Sequence, residues 1–234
     1  DTMTINYTTI PTVNAGADQV VCANNASVLL NGTVNGTSNT GIWSTSGTGI
    51  FTPNDTTLNA TYIPSAADTT SGSVTLTLSS TNSCSVVTDL MVITITDGPS
   101  VSAGADVNVC SNNPDANLTA VISGATTTGI WTTVGTGTIS PSSTSLAITY
   151  SPSATDITNG SVDLIITSTG NGTCNAVSDT VTIIITPPPA AFAGNDTSIC
   201  ANTTFQLAGV ITGGVGTGNG TTSGSGTFSP ASNI

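Results

Sequence analysis

The side chains best equipped for chemistry are five cysteines: Cys22, Cys84, Cys110, Cys174 and Cys200. A thiol can ligate a metal, attack an electrophile or pair as a disulfide. The first role needs further ligands, and the sequence has no Cys-x-x-Cys and no histidine. The second needs an activating base or cation. Lys, Arg, His and Glu are all absent, and the 12 acidic residues are all Asp. Those four types do most of the acid–base and electrostatic work in enzymes, so no enzyme is expected. Pairing remains. The spacing pairs Cys22 with Cys84 and Cys110 with Cys174. Each bond would close a loop of about 60 residues, worth roughly 4 kcal/mol on the loop-entropy account. Cys200 is left unpaired within this sequence. Disulfides imply an oxidising compartment, hence a secreted or cell-surface protein.

Asp is the other candidate chemistry. Three sets recur along the chain: Asp18, Asp106 and Asp196; Asp68 and Asp156; Asp1, Asp89 and Asp179. An Asp that bonds its own backbone fixes a turn, and this is the expected role. Calcium at Asp18, Asp106 and Asp196 is the alternative, since Ca²⁺ collects six to eight oxygens. No Asp-x-Asp-x-Asp-Gly loop accompanies them. No other cofactor is expected. With a net charge of −12 and no cationic side chain, the chain cannot neutralise phosphates or dock a basic patch on a membrane. No apolar run approaches the ~20 residues of a membrane helix.

The elements that carry these residues repeat. Ala15-Gly16-Ala17-Asp18 recurs as Ala103-Gly104-Ala105-Asp106 and as Ala193-Gly194-Asn195-Asp196. Trp43, Pro53, Tyr62 and Pro64 return 88 residues later as Trp131, Pro141, Tyr150 and Pro152. Past Cys84 the offset becomes 90, because the segment before Cys174 is two residues longer. An insertion in a Gly/Asn stretch between apolar runs marks a hairpin tip. The boundaries that follow are a last strand of a preceding repeat over 1–10, whole repeats over 11–98 and 99–186, and half of a third over 187–234. Pro99 and Pro187-Pro188-Pro189 stiffen the joints.

Within a repeat the apolar residues alternate with period two, as in Val74, Leu76 and Leu78, or Met91, Ile93 and Ile95. Met3, Ile5 and Tyr7 echo the last of these rows. About seven strands fit each repeat, and no stretch has a helical period. The expected fold is all-β: tandem immunoglobulin-like β-sandwiches arranged as a rod. The cysteines should clip loops at one pole of each sandwich. Trp43 and Trp131 are expected as core plugs, with a sugar-stacking platform as the alternative.

The run Ala-Gly-Ala-Asp, the Cys four residues on, the Gly-Ile-Trp strand, the Thr-Tyr-x-Pro-Ser-Ala turn and the Cys-x-x-x-x-Asp-Thr hairpin resemble a known group. They are similar to the tandem PKD-like and Ig-like repeats of large bacterial surface adhesins, the gliding-motility type exported by the type IX secretion pathway. The Trp-Asp-Phe-Gly-Asp-Gly turn common in PKD domains is absent. The resemblance implies a bacterial cell-surface location and a mechanical or adhesive role. It also implies O-glycans on Asp-Thr sites at Thr2, Thr56, Thr69 and Thr180. Twelve Asn-x-Ser/Thr triplets occur, including those at Asn31, Asn35, Asn54, Asn59, Asn117, Asn171 and Asn202, which are candidate N-glycan sites.

The leading expectation is therefore a structural stalk segment of an extracellular adhesin or surface filament. Its partners would be neighbouring repeats, other copies of the chain and surface glycans. A fibre subunit that donates strands between chains is the second reading. A carbohydrate-binding module is the third.

Overall fold

A computed structural model describes residues 1–6, 9–36, 38–81, 85–213 and 217–229. The first repeat holds nine short strands: β1 (Thr12–Asn14), β2 (Gln19–Cys22), β3 (Val28–Leu29), β4 (Thr33–Asn35), β5 (Gly41–Thr45), β6 (Ile50–Thr52), β7 (Thr61–Ile63), β8 (Ser73–Ser80) and β9 (Thr88–Thr96). Helix α1 (Ala66–Ser71) lies between β7 and β8. The second repeat follows the same plan with β10 (Ser100–Ser102), β11 (Val107–Cys110), β12 (Ala116–Thr119), β13 (Val121–Ser123), β14 (Thr128–Thr133), β15 (Thr138–Ser140) and β16 (Ala147–Ser151). Then come α2 (Ala154–Asn159), β17 (Ser161–Thr169) and β18 (Ser178–Thr186). The third repeat contributes β19 (Ala190–Phe192) and β20 (Val210–Thr212).

In the first repeat one sheet runs β2-β9-β8-β5 and the other β3-β7-β6, with β1 paired to β4. β2 is parallel to β9, with Gln19 opposite Ile93, while β5, β8 and β9 are antiparallel. The second repeat has sheets β11-β18-β17-β14 and β12-β16-β15, and the pair β10-β13. This is the two-sheet division of an immunoglobulin-like sandwich. The expected seven strands become nine because two of them break. The first strand leaves one sheet at Ala15–Asp18 and enters the other as β2. The next breaks into β3 and β4 at Gly32, where a Cβ would stand 2.6 Å from the Trp43 ring and 2.7 Å from Leu78.

The period-two rows meet between the sheets. Val74, Leu76, Leu78, Met91, Ile93 and Ile95 are all buried, and so are Val162, Leu164, Ile166, Val181, Ile183 and Ile185. Trp43 and Trp131 are 2% and 1% exposed, so they fill cores and present no sugar-stacking face. The indole of Trp43 donates to the Leu58 carbonyl at 3.2 Å. Its counterpart Trp131 finds no acceptor among the described residues. Ala120 stands there in place of Gly32. A Cβ at Gly32 would stand too close to the Trp43 ring, so an alanine at this place does not fit beside an indole seated as in the first repeat.

Two features depart from expectation. Both repeats contain a short helix where no helical period is visible. Residues 1–6, 9 and 10 lie in no strand, with Met3 84% and Ile5 59% exposed; Tyr7 lies outside the described residues.

The chain divides into two compact units. One comprises residues 1–101, 122–129 and 167–178; the other comprises 102–121, 130–166 and 179–234. The hairpin tip of the second repeat thus belongs to the same unit as the whole first repeat.

Candidate functional site: a cystine-clamped hairpin tip

The strongest candidate site lies where that tip meets the turn after β2. Val21 and Cys22 run in the parallel pairing with β9, which fixes the strand end. The chain then turns back, with the Asn25 N–H donating to the Cys22 carbonyl at 2.8 Å and the Ala23 N–H to that of Thr96 at 2.8 Å. The tip between β17 and β18 is shaped by Gly170 and Gly172, both at positive φ, a backbone region that glycine adopts without steric cost. The Cys174 N–H donates to the Asn171 carbonyl at 3.0 Å and closes the tip.

Cys22 is bonded to Cys174, with Cα atoms 5.1 Å apart and 152 residues between them in sequence. This corrects the pairing within repeats expected from the spacing. Cys22 does not take Cys84, which lies outside the described residues, and Cys174 does not take Cys110. Cys110 and Cys200 are free, exposed thiols. The physical reason is that Cys22 sits beside Thr96, at the end of β9, whereas the β8–β9 turn leaves from Ser79 and Thr88 at the other end of that nine-residue strand, so the turn after β2 and the repeat's own hairpin tip lie at opposite poles and not, as expected, at one. Sequence spacing ranks the shorter loop first; geometry selects the other.

The clamp is polar as well as covalent. Asn24 Nδ2 donates to the Asn175 carbonyl at 3.0 Å, and its Oδ1 accepts the Asn175 N–H at 3.1 Å. An amide side chain here pairs with a backbone unit as a β-strand residue would. Asn175 Nδ2 donates back to the Asn24 carbonyl at 3.2 Å, and Asn25 Nδ2 to that of Thr173 at 3.3 Å. The Asp97 carbonyl oxygen sits 3.8 Å from Cys22 Sγ and 3.9 Å from Cys174 Sγ. Cys22 is fully buried. These asparagines were not singled out by sequence reasoning. A signal existed: Asn follows the socket cysteine by two residues in all three copies, as Asn24, Asn112 and Asn202.

The recurring Asp residues hold backbone. Asp18 Oδ1 accepts the Val92 N–H at 2.8 Å, and Asp106 Oδ1 that of Thr182 at 2.9 Å. Asp89 and Asp179 each accept an N–H at 2.8 Å, from Ala15 and Ala103. Together they pin the crossing of the first strand between sheets. Asp196 is exposed. Among the described residues no three His, Cys, Asp or Glu side chains group closely enough to hold a metal ion.

Asp68 and Asp156 form a second kind of site, a buried carboxylate over the helix start. Asp68 is 3% exposed. It accepts the N–H groups of Thr48 (2.9 Å), Gly49 (2.9 Å) and Ser65 (3.0 Å) and the Tyr62 hydroxyl (2.8 Å). Ser65 in turn caps α1 through the Asp68 N–H, and Gly72 closes it at positive φ. Burial alone would raise this carboxyl; the donors from Thr48, Ser65, Tyr62 and Gly49 outweigh it and hold the group below its ordinary value. Asp156 repeats the arrangement, with donors from Ser153, Thr136 and Tyr150 overcoming burial. Burial, with help from the carboxylate, pushes Tyr62 and Tyr150 up. The short motif Ser65-Ala66-Ala67-Asp68, repeated at Ser153–Asp156, is a capping-box signal that the search for helical periodicity overlooks.

The glycan candidates sit as follows. Thr2, Thr56 and Thr180 are exposed, while Thr69 is half-buried and bonded to the Ala66 carbonyl at 2.8 Å. Asn31, Asn35, Asn54, Asn59, Asn117 and Asn202 are exposed. Asn171 is half-buried in the clamped tip, where its Nδ2 donates to the Ser168 carbonyl at 3.1 Å.

The architecture is tandem immunoglobulin-like. The chain is similar to the titin fragment I67–I69, at 12% identity and a TM-score of 0.44, over 89% of this chain and 77% of that one. It is also similar to the insect immune protein hemolin, at 9% identity and TM-score 0.44, over 77% of this chain and 48% of that one. Immunoglobulin domains 1–5 of Sidekick-1 match at 15% identity and TM-score 0.39, over 89% of this chain and 46% of that one. At such identities the likeness concerns the fold alone. No family profile and no curated protein matches the chain.

Proposed function

We propose that this chain is a non-catalytic stalk segment of an extracellular adhesin or surface filament of the bacterial gliding-motility kind. The observation that carries the reading is the Cys22–Cys174 bond. It ties the tip of the second repeat to the first across 152 residues, so the covalent path for tension bypasses the chain between the two cysteines, and β3 to β17 cannot be drawn out while the bond holds. Such a bond is stable where the surroundings are oxidising. Reactive constellations are lacking among the described residues, since the buried carboxylates are spent on backbone donors and the tryptophans on the cores. Neighbouring repeats are the main partners in this reading, and Thr2, Thr56 and Thr180 are the open positions for O-glycans. No helix among the described residues is long and apolar enough to cross a membrane.

The test is labelling of intact source cells with antibodies raised against this chain. The expected result is label before permeabilisation, standing away from the envelope, with shorter filaments when one repeat is deleted. Label that appears only after permeabilisation overturns the reading. Strand donation between copies is the second reading, favoured by the exposed apolar side chains of Met3, Ile5, Phe205 and Leu207. Sedimentation of the purified chain decides it: growing species with concentration support it, and a monomer throughout removes it.

A further inference from the structure

The turn that receives the tip occurs again. Cys110-Ser111-Asn112-Asn113 takes in the second repeat the place of Cys22-Ala23-Asn24-Asn25 in the first. Each cysteine forms an antiparallel bridge with the Asn three residues on. The Ser111 N–H donates to the Thr186 carbonyl at 2.8 Å, as that of Ala23 does to Thr96. The strand before each turn runs parallel to the last strand of its repeat. The two differ in occupancy. Cys22, Asn24 and Asn25 hold a hairpin tip; Cys110 is a free, exposed thiol. The side chains of Asn112 and Asn113 are exposed and carry no hydrogen bond among the described residues.

We propose that Cys110, Asn112 and Asn113 form a second tip socket, whose occupant is the cysteine-bearing hairpin tip of a further repeat of this type. The recognition follows the occupied copy. Asn112 pairs through Oδ1 and Nδ2 with the backbone N–H and carbonyl of the residue after the tip cysteine. Asn113 Nδ2 donates to the carbonyl of the residue before it. Because the Asn112 and Asn113 contacts read backbone, they do not fix the side chain after the cysteine, which is Asn175 after Cys174 and Ser85 after Cys84; Asn175 adds a bond of its own to the Asn24 carbonyl. Repetition of the bond would staple each repeat to the next along an array. The covalent step is thiol–disulfide exchange. The Cys110 thiolate attacks the tip sulfur of a glutathione mixed disulfide, the new S–S bond forms, and glutathione thiolate leaves with the electron pair and takes up the proton that Cys110 lost.

The proposal rests on the stalk reading only for the origin of its occupant, so its failure leaves the cell-labelling result untouched. The probe is a 12-residue peptide of sequence 167–178, its ends joined through D-Pro-Gly to keep the strands paired, carrying its cysteine as the glutathione mixed disulfide. A scrambled ring of the same composition is the comparison. Both are equilibrated with the full chain in a glutathione buffer. Cleavage before Asp isolates residues 106–114, which contain Cys110 and no other cysteine, for mass measurement. Three ordinary hydrogen bonds multiply to roughly tenfold or more in capture. The hairpin is therefore expected on Cys110 at least about tenfold over the scrambled ring, with the preference cut by at least about fivefold in Asn112→Ala, a change at an exposed side chain that removes two of the three bonds. Equal capture of the two rings, or a preference unchanged by Asn112→Ala, overturns the proposal.

Discussion

Asp68 is the residue that ties the β5–β6 turn to the start of α1. Four donors converge on one carboxylate, and no cation is present anywhere in the side chains to take its place. Asp68→Ala strands three backbone N–H groups and the Tyr62 hydroxyl, so the first repeat should lose upward of about 3 kcal/mol. Urea unfolding followed by tryptophan fluorescence in a Trp131→Phe background, which leaves Trp43 as the reporter, checks this, and a loss under about 1 kcal/mol would refute the account. The same site sets pH dependence. Asp68 and Asp156 have lowered folded values, so they add stability above the unfolded carboxyl value, near pH 4, and lose it as pH falls further through the folded values. Tyr62 and Tyr150 have raised values, so their contribution is whole below about pH 10 and fades above it. Melting temperature against pH should show a plateau with an acid and an alkaline shoulder. Loss of the acid shoulder is expected in the Asp68→Asn, Asp156→Asn double variant, while the alkaline shoulder stays because burial is the main cause of the raised tyrosines. Sequence reading reached the aspartates as turn-fixers because they recur, but it could not count the donors. Those come from Thr48, Gly49 and Tyr62, brought near by strand pairing and not by local sequence.

At the scale of elements, the joints between repeats obey one steric rule. Gly36, Gly124 and Gly213 end β4, β13 and β20 at positive φ, each against the linker that opens its own repeat. A Cβ on Gly124 would stand 2.2 Å from the Gly98 carbonyl oxygen, and one on Gly213 2.7 Å from that of Pro188. Gly124→Ala combines left-handed strain with a clash against backbone and should cost about 2–4 kcal/mol. Gly16→Ala separates the two causes. That residue is also at positive φ, but nothing lies within 4 Å of an added Cβ. It should cost only the strain, about 1–2 kcal/mol. Equal thermal shifts for the two variants would show that linker contact contributes nothing. The strands themselves were legible, because burial of one face writes the period-two pattern directly into β8, β9, β17 and β18. The strand breaks were not. A strand that changes sheets keeps its alternation, and only the pairing partners reveal the crossing at Ala15–Asp18.

For the molecule as a whole, periodicity announces a socket cysteine and a tip cysteine in each of the two whole repeats, yet it leaves open which repeat supplies each partner. A loop of 60 residues and one of 152 are both compatible with the same spacing. Loop entropy does not reject the longer: the chain model credits it with about 5 kcal/mol against roughly 4 for the shorter, so the decision falls to contact geometry. Asn24 and Asn25 make that decision by binding the backbone on both sides of Cys174 before sulfur chemistry is considered. The absence of Lys and Arg removes tryptic mapping, but the aspartates are placed well for cleavage before Asp. That digestion puts Cys22 in residues 18–54, Cys84 in 68–88, Cys110 in 106–114, Cys174 in 163–178 and Cys200 in 196–234. Without reductant, the digest should contain 18–54 joined to 163–178 and no joined 18–54 and 68–88. Asn24→Ala should leave the protein folded but divert part of Cys22 into mixed disulfides during oxidative refolding. A map dominated by 18–54 with 68–88 in the unaltered chain would return the bond to the interior of one repeat and remove the staple from the stalk.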